Sequence, residues 1–353
     1  LNVTGIENQT VTAASTTAVT ITETLLAASD TVAVDGGSSV TVNSSSAADI
    51  VTNTTAGTIT VGGTTAASGA VTVTSANTTN NQHASTFGTA GQVNVTGGTV
   101  INVSSTIDAA ATANTFALTS NTTIENTGSD VNITGDASTT TVSVTQSATV
   151  AAVASTTIGR IGLINGAVDI NDANAASTTA AGTIATATIT NAGAAVVNSG
   201  ALTTLNLAGT LLTVNAGTSG ALTTAANSVL ALNLTGAVST GAVTIDADFT
   251  TLNISGNTTA STIADLVQAA VITINVSGDA LVTLTDFDPA TITDITVTNT
   301  AGLVLSTSAL AVGTNYTGGA GADSVLLGAV TTAVTMGGGN DTVTSAGLVG
   351  TGG

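Results

Sequence analysis

Across 353 residues the chain carries 20 acidic side chains against a single Lys or Arg, a formal net charge of -19, and its 42% hydrophobic content includes only 1% aromatics. That balance excludes nucleic acid, whose recognition needs a basic footprint, and anionic membrane surfaces, which attract basic segments. The absence of Cys rules out disulfides and thiolate zinc sites.

With so few cations of its own, the chain meets self-repulsion that opposes close packing. Hard cations held by carboxylate and carbonyl oxygens are the remedy, and Ca²⁺ is the first expectation. No apolar run approaches the ~18 residues of a membrane-spanning helix, so no membrane insertion is expected. The chain opens at Leu1 with no charged segment leading into an apolar stretch, so it is expected to be soluble and a piece of a longer protein.

A core of small aliphatics points to a thin, repetitive architecture, because thick cores lean on aromatic side chains. The residue choice agrees: Thr, Val, Ala, Asn, Ser and Gly dominate, and β-branched residues favour pleated surfaces. The expected fold is all-β, a parallel β-helix or β-solenoid ending in a C-terminal calcium β-roll.

In chain order, a five-residue pattern of apolar, Asn, apolar, small residue and Gly marks successive strands. It occurs at Leu1 to Gly5, Val93 to Gly97, Val131 to Gly135, Leu205 to Gly209, Leu232 to Gly236, Leu252 to Gly256 and Ile274 to Gly278. Alternation puts both apolar residues on one face and Asn on the other, and Gly turns the corner. In the second half the spacing settles at about 20–27 residues, within the range of solenoid coils, with Ile295 to Asn299 as a further member.

The first half is less regular, and its Ser44 to Thr60 and Ala109 to Thr123 stretches fix no coil boundary. Pairs such as Val71-Thr72-Val73-Thr74 and Val142-Ser143-Val144-Thr145, with a mean hydropathy of +0.51, still favour ordered strands over disorder. Three regions are expected: 1-200 as an irregular β-solenoid, 201-317 as more regular coils, and 318-353 as a truncated calcium β-roll. One short helix is expected at Ser261 to Ala269.

From residue 318 the tail falls into rows of nine: Gly318 to Leu326, Leu327 to Thr335, and Met336 to Thr344. The first and third match the calcium-roll pattern G-G-x-G-x-D-x-U-x, with Met336 in place of the first Gly. Two rows make one turn, so Asp323 and Asp341 are expected on the same side of successive turns. Tight glycine turns offer backbone carbonyls while the carboxylates close the oxygen shell. The expected ligating segments are Gly318, Gly319, Ala320, Gly321 and Asp323 with Gly337, Gly338, Gly339 and Asp341. Val325, Val334 and Val343 are expected to point inward. The middle row lacks the Gly pair and the Asp, so one site is expected and not an array.

Weaker metal candidates are Asp246 with Asp248, and Asp286 with Asp288 and Asp294, where like charges at close spacing invite a cation. Asp169 and Asp172 in a polar turn, and Asp35 before Gly36-Gly37, complete that set. For each, a solvated turn aspartate is an equal alternative. His83, with no second His and no Cys, reads as solvent-facing, and Arg160 as a partner for a nearby Asp. Asn-x-Ser/Thr triplets are expected by chance at this composition.

The chain resembles the Caulobacter-type S-layer protein over nearly its whole length. The resemblance is carried by Val32 to Gly37, Ser138 to Ala151, Thr179 to Thr186, Phe249 to Val267 and Tyr316 to Thr344, in the same order. It implies a secreted structural protein of the bacterial cell surface, exported by type I secretion, whose copies assemble through Ca²⁺ into a two-dimensional lattice of hexameric units. It also implies that a lipopolysaccharide anchor precedes Leu1 and that a secretion signal follows Gly353. The alternative is a secreted calcium-binding adhesin or rod without a lattice. Catalysis is not expected, since polysaccharide lyases need a cation beside uronate and sugar sites need aromatic platforms. Ice binding is not expected either, because the Thr pairs do not recur at one fixed coil position.

Overall fold

The computed structural model describes residues 1–6, 8–24, 30–46, 57–80, 89–110, 124–150, 161–217, 227–305, 307–328 and 333–345. Among these residues the protein is all-β, with strands and no helix. Two compact units are present, residues 1–173 with 191–194, and residues 174–190 with 195–353.

In the first unit each strand pairs, in parallel, with the second strand after it up to Val93–Thr96 and Val100–Ala110, and from there with the third, because the added strand Ile124–Thr127 pairs separately with Ile161–Ile164. One series runs Asn2–Gly5, Ala18–Thr24, Ser39–Ser46, Val71–Asn80, Val100–Ala110 and Thr141–Val150. The other runs Gln9–Ala13, Thr31–Gly36, Thr58–Val61, Val93–Thr96, Val131–Thr134 and Val168–Asn171. These two long ladders, with the short third one of Ile124–Thr127 on Ile161–Ile164, are the wiring of a β-solenoid. Val, Ile and Thr alternate along each strand, so the apolar residues turn inward: Val19, Ile21, Val40, Val42, Val71, Val73, Ile101, Val103, Val142 and Val144 are all buried. The coil length varies. From Thr20 to Thr41, Thr41 to Thr72, Thr72 to Asn102 and Asn102 to Ser143 the step is 21, 31, 30 and 41 residues. No single period runs through this half, which is why its coils could not be counted from sequence.

The register adds to one expectation. On the outer face of the first ladder Thr-x-Thr occupies the shared coil position only at Thr20 with Thr22 and Thr72 with Thr74, but pairs of small polar residues recur there in every coil, with Thr41 and Asn43, Asn102 and Ser104, and Ser143 and Thr145 between and beyond them. The variable coil length hides this stacking in the sequence.

The second unit repeats the wiring with shorter steps. One ladder carries Thr251–Gly256, Thr273–Gly278, Asp294–Val297, Asn315–Thr317 and Ala333–Thr335. The other carries Ala242–Ile245, Ser261–Gln268, Val282–Phe287, Leu303–Leu305, Ser324–Leu327 and Thr342–Ser345. Both apolar positions of the five-residue pattern lie in the core at Leu205, Leu207, Leu232, Leu234, Leu252, Ile254, Ile274 and Val276. Leu252 pairs with Leu230 and not with Leu232. Val229–Ser239 offers three inward leucines, and a two-residue slip keeps the inward parity. Asn side chains on the outer face bond along the stack, as in Asn233 Nδ2 to Asn206 Oδ1 at 2.8 Å and Asn275 Nδ2 to Asn253 Oδ1 at 2.9 Å.

The helix expected at Ser261 to Ala269 is instead a strand, Ser261–Gln268. Ladders on both sides supply its backbone partners, and Ser261, Ile263, Leu266 and Gln268 are buried. Tertiary pairing overrides the weak helical preference of Ala264-Asp265-Leu266.

A feature that alternation alone does not suggest lies inside the first unit. Glu23, Ser44, Ser75, Ser105 and Gln146 are aligned coil upon coil, and every one is buried. Ser105 Oγ bonds Ser129 Oγ at 2.9 Å, and Gln146 Nε2 bonds Ser129 O at 2.8 Å. Glu23 receives only a long 3.4 Å bond from Ser44 Oγ, and its other oxygen has no hydrogen-bond partner.

Candidate metal centre

The tail rows stack as their spacing predicts. Ser324, Val325, Leu326 and Leu327 pair with Thr342, Val343, Thr344 and Ser345. Asp323 and Asp341 therefore sit at equivalent positions of consecutive coils, and Asp341 Oδ1 accepts the Asp323 N–H at 3.0 Å. Asp323 is 1% exposed. Its Oδ1 accepts the Leu303 N–H of the coil below at 2.8 Å, and its Oδ2 accepts the Gly319 N–H at 3.1 Å. The Asp323 carboxylate thus ties two successive coils together, and the Asp341 carboxylate ties on the third through the Asp323 N–H.

The glycines permit this approach. A Cβ on Gly318 would lie 2.1 Å from Met336 O and 2.6 Å from Asp323 Oδ2. Gly337 (φ +80) and Gly339 (φ +115) adopt conformations that L side chains rarely do, and their added Cβ atoms would meet Gly319 O at 2.1 Å and Gly321 O at 2.3 Å. Gly338 N donates to Gly319 O at 2.7 Å, closing the coil-to-coil contact. Ala320 lies within 4.0 Å of the position a Cβ on Gly338 would take. Gly337→Ala is expected to cost about 1–3 kcal/mol from backbone conformation alone, with the clash added. Amide hydrogen exchange should show faster opening of Thr342–Ser345 while the first unit keeps its protection.

Tyr316 is the member of this site that motif reading missed. It is 1% exposed, and its hydroxyl approaches the Asp323 carboxylate without completing a well-formed hydrogen bond. Burial, then the charges of Asp323 and Asp341, and last the contact with the Asp323 carboxyl, push the phenol far above its ordinary range. A buried, unpaired hydroxyl beside two carboxylates is an incomplete polar cluster. The only advance signal was that the chain's single Tyr lies two residues before the first Gly-Gly row.

Of the three expected inward valines, Val325 is fully buried, Val334 is half-buried and Val343 is 48% exposed. The Val343 expectation fails because Thr342–Ser345 is paired on one side only among the described residues.

The weaker candidates are engaged in turns and ladders. Asp35 Oδ1 accepts Thr64 N at 2.6 Å and Thr65 N at 3.3 Å. Asp169 pairs in register with Asn132 and accepts Asn171 Nδ2 at 2.8 Å, while Asp172 is buried. Asp246 lies in a turn and accepts the Asp248 N–H at 3.0 Å, so this pair does not line one strand face. Asp286 receives Phe287 N and Ser308 Oγ. Asp294 belongs to the other ladder, between Thr273 and Asn315, and is not grouped with Asp286 and Asp288. Bonds from Thr293 and Asn315 hold its carboxyl below the ordinary range. Asp286 instead stacks on Asp265, which the sequence did not single out. Burial, then Asp286 and Asp288, raise the Asp265 pKa.

His83 and Arg160 lie outside the described residues. No group of three or more His, Cys, Asp or Glu side chains that could hold a metal occurs among the described residues. A cation at Asp323 and Asp341 would therefore draw most of its shell from backbone carbonyls. The donors present are all oxygen, a carboxylate oxygen can accept more than one bond, and the Tyr316 hydroxyl is unpaired. That set fits a hard cation such as Ca²⁺ and not a soft one. No family model and no curated protein matches this chain.

Proposed function

We propose that this chain is a structural protein of a bacterial outer surface, a member of the Caulobacter-type S-layer family, whose copies assemble through Ca²⁺ into a two-dimensional lattice. The observation that carries the reading is the stacking of Asp323 on Asp341 in consecutive glycine coils, beside the unpaired Tyr316 hydroxyl. A net charge of -19 supplies the reason for a cation. Asp323, Asp341 and the carbonyls of the rows from Gly318 and Gly337 would hold Ca²⁺, which supplies charge neutralisation and cross-links turns. Ca²⁺ couples folding of the roll to association of copies, because anything that binds only the folded state stabilises it.

Two measurements test this reading. Tyr316 is the single Tyr and there is no Trp, so tyrosine emission reports on this site alone. Ca²⁺ is expected to change that emission with a midpoint of about 0.1–1 mM, the range of extracellular calcium modules, and chelator is expected to reverse it. Negative-stain electron microscopy is expected to show ordered sheets with millimolar Ca²⁺ that dissolve in chelator. A calcium response with dispersed rods in both conditions would favour the adhesin, and no calcium response would remove the metal site.

A further inference from the structure

We infer that the outer face of the Asn2 to Thr145 ladder in the first unit is a docking surface for a second copy of this chain, an inference that rests on the self-assembly reading above. The face consists of three columns that run coil upon coil. The first is Asn2, Thr20, Thr41, Thr72, Asn102 and Ser143; the second is Thr4, Thr22, Asn43, Thr74, Ser104 and Thr145. The third is Thr24, Ser45, Ala76, Thr106 and Ser147. All of these side chains are half-buried or exposed.

None of the three columns carries a charge, in a chain with 20 acidic residues. The Glu on these strands, Glu23, is turned into the core, and Asp108 lies beyond the third column. The other ladder of the same unit brings Asp35 and Asp169 to its own outer face and ends in the Asp136 turn. In the second unit the outer positions carry Asp294 on one ladder and Asp265 with Asp286 on the other. Between copies of a strongly anionic chain, like charges across an interface cost several kcal/mol. Two copies can meet on this face without bringing carboxylates together.

The columns also supply what an uncharged contact needs. Hydroxyls and amides repeat every ~4.8 Å along the stack and every ~6.7 Å across it, so the same face on another copy can meet it in register. A second copy is favoured over ordered water because Asn, Ser and Ala interrupt the threonines, so no uniform hydroxyl lattice is presented. The columns span roughly 24 Å by 13 Å, below the roughly 800 Å² per partner of a standard interface. A single contact of this size is weak; repetition across a sheet makes it effective.

The test places the same charge on two faces of the whole chain. Thr22→Glu with Thr74→Glu is expected to raise the protein concentration needed for calcium-induced sheets by at least about tenfold. The circular dichroism spectrum and the calcium response of Tyr316 are expected to stay as in the wild type, which excludes misfolding. Thr10→Glu with Thr60→Glu, two coils apart on the other ladder, is expected to leave assembly within about twofold of wild type. Assembly of the Thr22/Thr74 variant at wild-type concentrations overturns the inference, as does equal impairment by the Thr10/Thr60 variant. Wild-type chains that shape ice crystals, with the Thr22/Thr74 variant losing that effect but still assembling, would identify ordered water as the occupant and overturn it too. Wild-type chains that stay dispersed in Ca²⁺ would overturn the assembly reading itself, and this docking with it.

Discussion

Asp323→Ala is expected to cost about 1–4 kcal/mol, because it strips the acceptor from the buried Leu303 N–H, worth about 1–3 kcal/mol when left unpaired, and from the half-buried Gly319 N–H, worth less because water can reach it. Those groups belong to Leu303 and Gly319, so the loss spans two coils and should appear first in the hydrogen exchange of Leu303–Leu305 and Ser324–Leu327. Asp323→Asn separates structure from metal binding. Its amide keeps one acceptor oxygen, so about half of the structural loss is expected, yet the negative charge is gone. The calcium-induced change in Tyr316 emission should disappear in both variants. An Asn variant with an unaltered calcium midpoint would show that Asp323 is a backbone clasp and not a ligand. Asp341→Asn gives the complementary measurement, because Asp341 clasps only the N–H of Asp323 among the described bonds.

Glu23→Gln is expected to stabilise the first unit at neutral pH by about 1–2 kcal/mol, because the amide, although it too keeps one end unpaired, no longer buries a charge. Burial raises the Glu23 pKa, Ser44 opposes this through its weak bond, and Asp30 adds to the rise. A carboxyl with a raised folded-state pKa contributes stability that is fully present below its unfolded value, about 4.3. That stability is lost as pH rises through the folded-state value. Wild type should therefore lose stability from this group between pH 4 and its raised pKa, and the Gln variant should not. Asp136 acts in the opposite sense. Burial pushes its pKa up, but bonds from Ser138, Gly98 and Thr139 outweigh that and hold it low. Its contribution is present above the ordinary carboxylate range and fades as pH falls, in the variant as in the wild type. Thermal unfolding followed by circular dichroism from pH 4 to 8 isolates Glu23 as the difference between the two curves. Identical curves would show that Glu23 is solvated in solution.

Periodicity of two was enough to place the core positions, since inward and outward side chains alternate whatever the coil length. Val93, Val95, Val131 and Ile133 are buried as the five-residue pattern requires. The nonapeptide phase likewise placed Asp323 over Asp341, because both rows are nine residues with no insertion between them. Where coil lengths vary, the same logic fails. Glu23 and Gln146 are 123 residues apart in the chain, and only the ladder through Ser44, Ser75 and Ser105 brings them into one buried column. Asp265 and Asp286 were not paired from sequence for a similar reason: nearest-neighbour spacing grouped Asp286 with Asp288 and Asp294, but the register put Asp294 on the other ladder.

Composition and alternation by themselves determined an all-β chain with a thin aliphatic core, a large uncompensated negative charge and one pair of glycine rows in matching phase. These are local or additive properties, readable without knowing which coil lies on which. The tertiary structure alone decided the register. Register sends Glu23 inward, leaves the Tyr316 hydroxyl unpaired beside two carboxylates, and collects the uncharged residues on one face. The physical reason is that a parallel ladder joins residues one whole coil apart, and a coil can be 18 or 41 residues long without changing the strand that closes it.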